Sequence, residues 1–209
     1  MVPPEPNIGD VWASVIVGVV SLIYSYIVYL MRLQLGGKMV DFLKQILQNQ
    51  YEAALCMVKD CVTACADDYW EGKIANLTFR QIAYHTLFFT DLYLSPSNDA
   101  FELHELHQRG GDERGPTLCA GLSKEETLEY VKICRQKIKE SVEAETEETL
   151  RGPSGFSWRK GMTRGELHIY NIRHIQHHGG AMAAYLRRVD PALKDPKAQE
   201  LRWVGQGWR

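Results

Sequence analysis

Several things are scarce in this 209-residue chain, and each scarcity removes a class of protein. Neither sign of charge dominates: 24 Lys and Arg stand against 26 Asp and Glu, a formal net charge of −2. No basic stripe is visible, which argues against a surface built to grip phosphate backbones and against nucleic acid as a partner. The cysteines (Cys56, Cys61, Cys65, Cys119 and Cys134) are odd in number and lack framework spacing, so they read as free thiols of a reducing compartment. Internal repeats, low-complexity tracts and convincing strand-like alternation are missing as well. What is there, 45% hydrophobic and 24% charged, is an ordinary globular composition on a chain long enough for one domain with an appendage.

The appendage lies at the N-terminus. Residues 11–31, VWASVIVGVVSLIYSYIVYLM, carry no charge, and as a helix they would reach roughly 30 Å, the thickness of a bilayer's hydrocarbon core. Trp12 near one end and Tyr24, Tyr26 and Tyr29 toward the other have the placement of interfacial anchors. Glu5 and Asp10 precede the run and Arg32 and Lys38 follow it, which puts the C-terminal side in the cytoplasm. A cleaved secretory signal fits poorly, since a basic n-region and a small-residue cleavage site are both lacking. Two readings stand side by side. One is a transmembrane anchor that tethers a cytoplasmic domain to the inner face of the membrane. The other is an upstream extension of a soluble domain that begins at Met39. The expected organisation is a leader over 1–38, a helical domain over 39–189 and a tail over 190–209 that packs on it.

From Met39 onward the periodicity is helical. Leu43, Leu47, Ala54, Val58 and Val62 form a stripe over residues 40–66. Three further helices open on capping boxes: Thr78 with Gln81, Ser123 with Glu126, and Thr163 with Glu166. The second carries Ile82, His85, Phe89 and Leu92 inward, the third Leu128, Val131, Ile138 and Val142. The fourth runs to about Arg188, where Asp190-Pro191 stops it. Four long helices predict an all-α four-helix bundle. The connection over 96–122 suits a crossover, with a short helix expected around Asp99–Gln108.

Seven histidines are the informative feature. Leu167, Asn171, His174, His178, Ala181 and Tyr185 follow a heptad-like seam, so His174 and His178 lie one turn apart on one face. His85 lies on the inward stripe of the second helix. Three neutral imidazoles from two helices would leave a coordination position open for water or substrate. A single inward His is more often a satisfied core residue, but a pair at i, i+4 on an apolar face needs compensation that a cation supplies. His177 is expected on the flank, His104 and His107 in solvent, and His168 at the surface or an interface. Cys61 and Cys65 share a helical face without an imidazole beside them and read as small core residues.

A His in the second helix, followed by R-H-I-Q-H-H-G-G-A-M in the fourth, resembles the DinB/YfiT-like family of metalloenzymes over residues 39 to about 189. The resemblance implies an up-down-down-up bundle with His85, His174 and His178 as metal ligands. Relatives also imply a low-molecular-weight thiol as cosubstrate, with metal-assisted hydrolysis as the other outcome, and a homodimer by analogy. Some members carry Arg and Gln around the glycine where Gly179 and Ala181 stand here, so a polar contact they provide is missing or comes from elsewhere. Zinc or nickel suits imidazole ligands, and affinity order does not choose between them. No H-E-x-x-H is present to encode a protease-style base. Asn171, Tyr170 and Tyr185 are candidate substrate contacts, each with ordinary packing as its alternative. The sequence thus predicts a metal-dependent enzyme acting on a small molecule. The alternative is a non-catalytic bundle with a structural metal or a binding or stress-response role.

Overall fold

The computed structural model of the chain describes residues 8–102, 104–106, 122–194 and 205, without the side chains of 8–18, 20 and 30–35. In chain order the elements are α1 (Ile8–Ala64), α2 (Asp67–Trp70), a small hairpin of β1 (Lys73–Ile74) and β2 (Leu77–Thr78), α3 (Phe79–Leu94), α4 (Lys124–Ala144), α5 (Glu147–Arg151) and α6 (Arg164–Val189). Short 3₁₀ turns occupy Ser157–Arg159 and Pro191–Leu193.

The chain divides into two compact units, Met1–Phe42 and Leu43–Arg209. In the first, the described apolar side chains Val19, Leu22, Ile23, Tyr24, Tyr26, Ile27 and Tyr29 are all exposed. Among the described residues no helix is long and apolar enough to cross a membrane. Of the expected transmembrane segment over 11–31, residues 11–18, 20, 30 and 31 lie outside those whose side chains are described.

The second unit holds the core. Each predicted capping box forms. The hydroxyls of Thr78, Ser123 and Thr163 accept from the backbone N–H three residues on, and the Gln81, Glu126 and Glu166 side chains accept in return. Such caps satisfy donors that the first turn leaves orphaned, each typically worth about 1 kcal/mol. At the other end of α6, Asp190 caps the 3₁₀ turn through Ala192 N–H, and Leu193 enters the core.

Contact register gives the helix directions. Along α1 and α4, Lys44 meets Glu143 and Glu52 meets Arg135, so these helices are antiparallel. Cys134 reaches the Leu87 carbonyl and Ser141 the Leu94 carbonyl, which makes α3 and α4 parallel. Asn171 donates to the Thr90 carbonyl and Arg164 to that of Tyr93, so α3 and α6 are antiparallel. Tyr51 pairs with His168 and Cys61 with Gly179, so α1 and α6 run the same way. The four long helices thus enclose one core, in which Leu47, Leu55, Phe79, Leu87, Ile138, Leu167, Ile175 and Leu186 are fully buried. Parallel neighbours cannot be joined by a tight turn, and the segment between α3 and α4 is correspondingly long.

Three expectations change. A two-stranded antiparallel hairpin is present, pairing Lys73 with Thr78 and Ile74 with Leu77 around Ala75, whose φ is +58°. Residues 99–102 and 104–106 form turns and irregular chain rather than a short helix. His107, Cys119, Trp203 and Trp208 lie outside the described residues. Cys61 and Cys65 are buried, and burial pushes their thiols up to about 12 and about 11, as befits unreactive core residues.

Candidate metal centre

His85 comes from the middle of α3, and His174 and His178 from successive turns of α6, which pairs with α3 antiparallel. The most buried face of α6 is made by Leu167, His168, Asn171, Ile175, Gly179, Met182 and Leu186. His174 and His178 sit beside that face and are only half-buried. This differs from a seam pointing at the centre of the bundle, and it is what leaves the imidazoles reachable.

Their nitrogens converge. One ligand atom from each of the three rings lies within 4.8 Å of the others. The Nε2 atoms of His174 and His85 are 3.3 Å apart. Two nitrogens bound to one cation at about 2.0–2.1 Å with a tetrahedral angle are separated by about 3.3 Å, so this pair already has the edge length of a tetrahedral site. The rings are packed centroid to centroid at 5.2 Å for His85 and His174, 4.9 Å for His85 and His178, and 4.6 Å for His174 and His178.

The electrostatics favour neutral ligands. Burial, then the neighbouring imidazoles of His178, His85 and His177 and the guanidinium of Arg159, drive the basicity of His174 down to about 2. Burial with His85 and His177 lowers His178 to about 4. His174 and His178 are therefore neutral at neutral pH, and each keeps one ring nitrogen free of a proton. The buried Nδ1 of His174 has no hydrogen-bond partner among the described residues. Three converging imidazoles, two of them held neutral, are the donor set that a borderline divalent cation prefers, and they fit one.

Tyr170 is at this site. Its ring stacks on His174 at 6.4 Å and 18°, and Arg159 lies on it with the guanidinium carbon 4.0 Å from the ring centroid. Arg159 donates to the hydroxyls of both Tyr170 and Tyr93. Arg159 was not visible as a site residue from sequence, since it sits in a loop and reaches α6 only through the fold. His177 is exposed on the flank with its ring 5.0 Å from His178, as expected.

The other sequence candidates fall elsewhere. Asn171 is buried and donates Nδ2 to the Thr90 carbonyl at 3.1 Å, locking α6 to α3. Tyr185 lies over Gly72, where any Cβ would sit 1.7 Å from its hydroxyl, and packs on Phe79, so it is a core contact away from the imidazoles. His104 accepts from the Leu106 backbone N–H.

His168, expected at the surface or an interface, is 1% exposed inside the bundle. Its Nδ1 is 3.1 Å from the Tyr51 hydroxyl and its Nε2 is 3.0 Å from Glu145. Burial alone would raise the Glu145 carboxyl, but hydrogen bonds from His168, Thr149 and Arg164 outweigh it and hold it at about 2. The ionised carboxylate must accept, so Nε2 carries the proton and Nδ1 accepts from Tyr51, whose phenol burial keeps protonated. Arg164 completes the network by donating to the carbonyls of Tyr93, Leu94 and Ser95 at the end of α3.

No protein-family model, no curated protein and no solved structure matches the chain.

Proposed function

We propose that this chain is a DinB-like metalloenzyme acting on a small molecule, with His85, His174 and His178 holding a divalent cation, zinc or nickel. The observation that carries the reading is the convergence of three imidazoles, with His85 and His174 at a tetrahedral edge length. A cation held by three imidazoles supplies a Lewis acid that lowers the pKa of a water or thiol in its remaining position.

The chain's own residues prepare that position. His174 and His178 stay unprotonated at neutral pH, so no proton must leave before a cation enters. Tyr170 and Arg159 brace the His174 ring from one side. Among the described residues, the cavity of about 480 Å³ beside His174 is lined by Tyr170, Arg173, Gln176 and His177, with no carboxylate to serve as general base. A thiol or water bound to a cation gives up its proton without a neighbouring base, so thiol transfer and hydrolysis both suit the site.

Metal quantification on untagged protein, never exposed to nickel resin, tests the reading. About one equivalent of zinc or nickel per chain is expected, followed by metal-dependent conjugation in a screen of low-molecular-weight thiols. Protein that neither carries a cation nor takes one up would sink it. Stoichiometric metal with no thiol chemistry or hydrolysis would leave the metal as a structural element of a non-catalytic bundle.

A further inference from the structure

Two cavities near the imidazole cluster share lining residues. The first, of about 480 Å³, is walled by His174, Tyr170, Arg173, Gln176 and His177. The second, of about 660 Å³, shares Tyr170 and Arg173 and is otherwise lined largely by apolar side chains, Leu43, Leu47, Met162 and Ile169 among them. Volumes of about 300–1,000 Å³ with apolar walls and a few convergent polar groups are those of small-molecule sites.

Their charge is unbalanced. Among the described residues Arg173 and Lys160 line the second cavity without any hydrogen bond or ion pair. The single carboxylate among the described lining residues, Glu166, is already used: it accepts from the Thr163 backbone N–H and hydroxyl, each at 2.8 Å, in the cap of α6. Two unpaired cations against one engaged carboxylate leave room for one negative charge. A guanidinium presents a planar fork that matches a carboxylate with two parallel hydrogen bonds. Arg173 lines both the polar cavity at His174 and the apolar one, so a ligand in either meets it.

We propose that these two cavities together bind an aliphatic carboxylate, with its head group on Arg173 beside His174 and its hydrocarbon along Leu43, Leu47, Met162 and Ile169. That the bound acid is a substrate rests on the metal-enzyme reading above; binding itself does not. Lys160 adds a second, longer-range attraction for the same charge. The apolar walls select a chain of several carbons over a short acid, because each buried methylene contributes about 0.8 kcal/mol.

Calorimetric titration of the full chain with octanoate, acetate and 1-octanol tests the proposal, with zinc content measured on the same samples. Octanoate is expected to bind more tightly than acetate. Arg173→Gln, an exposed change on a helix surface, should weaken octanoate about tenfold or more and leave 1-octanol unaltered. Arg173→Lys should recover part of the loss. Octanoate affinity unchanged in Arg173→Gln, octanoate and acetate binding alike, or no octanoate binding would each overturn the proposal. Octanoate binding by protein that cannot take up zinc would sink the metal reading alone. Zinc binding without octanoate binding would sink this proposal alone.

Discussion

His168 and His174 are six residues apart on α6, and burial lowers the basicity of both, yet their partners differ in kind. Around His168 the chain supplies everything an imidazole needs. The Tyr51 hydroxyl donates to one nitrogen and the Glu145 carboxylate accepts from the other. Around His174 it supplies two more imidazoles and an orphaned Nδ1. The first ring is complete within the protein. The second is one of three imidazoles whose nitrogens converge, a donor set that a cation would complete. Burial therefore does not tell a structural histidine from a ligand; the identity of its neighbours does.

The largest effect that could break this comparison comes from exchanging the two sites. His174→Ala is expected to weaken zinc binding by more than about 100-fold, read by competition with a chelator, because one of three protein ligands is gone. His168→Leu should keep the metal stoichiometry and lose about 2–4 kcal/mol of stability in urea unfolding, since Glu145 and Tyr51 lose a buried partner. If His168→Leu released zinc as His174→Ala does, the two histidines would belong to one site and the distinction would collapse.

Acid should separate the regions next. In metal-free protein His168, His178 and His174 all have folded pKa values below the unfolded value of 6.5, with the latter two at about 4 and about 2. The unfolded chain then binds more protons, so stability is full above about pH 6.5 and is lost as pH falls through the folded values. Glu145, lowered from 4.5 to about 2, adds a loss of the same sign between those values. Urea midpoints measured from pH 7.5 down to pH 4 should decline, and more gently in His174→Ala. A flat profile would contradict the burial of neutral imidazoles. The smallest effect belongs to Tyr185→Phe. Its hydroxyl makes one long contact, 3.5 Å to the Tyr69 carbonyl, so less than about 1 kcal/mol and no change in metal content are expected.

Much of the bundle was legible because its signals are local. Thr78, Ser123 and Thr163 each announce a helix start through a residue three positions on, and all three caps form. His85, His174 and His178 were legible as a group because helical spacing places two of them together and the third lies on another inward stripe. What escaped is non-local. A heptad seam describes contact with one neighbour, whereas α6 packs against both α1 and α3. Its buried face is therefore broad enough to take in Arg164 and His168 as well. Arg159 and Glu145 acquire their roles from side chains on other elements, and nothing in their immediate sequence points there. Tyr185 fell on the seam and still missed the site, because it faces the Gly72 turn beyond the end of the imidazole cluster.

The pairing of His85 with His174 closes a stretch of 89 residues. Restricting two points so far apart in sequence removes a large share of the unfolded chain's freedom, as a long-range disulfide does, and the benefit grows slowly with loop length. A cation seated between them would thus be a reversible crosslink between α3 and α6. Unlike a disulfide it needs no oxidant and opens to a chelator, so metal supply would set how firmly this half of the bundle is fastened.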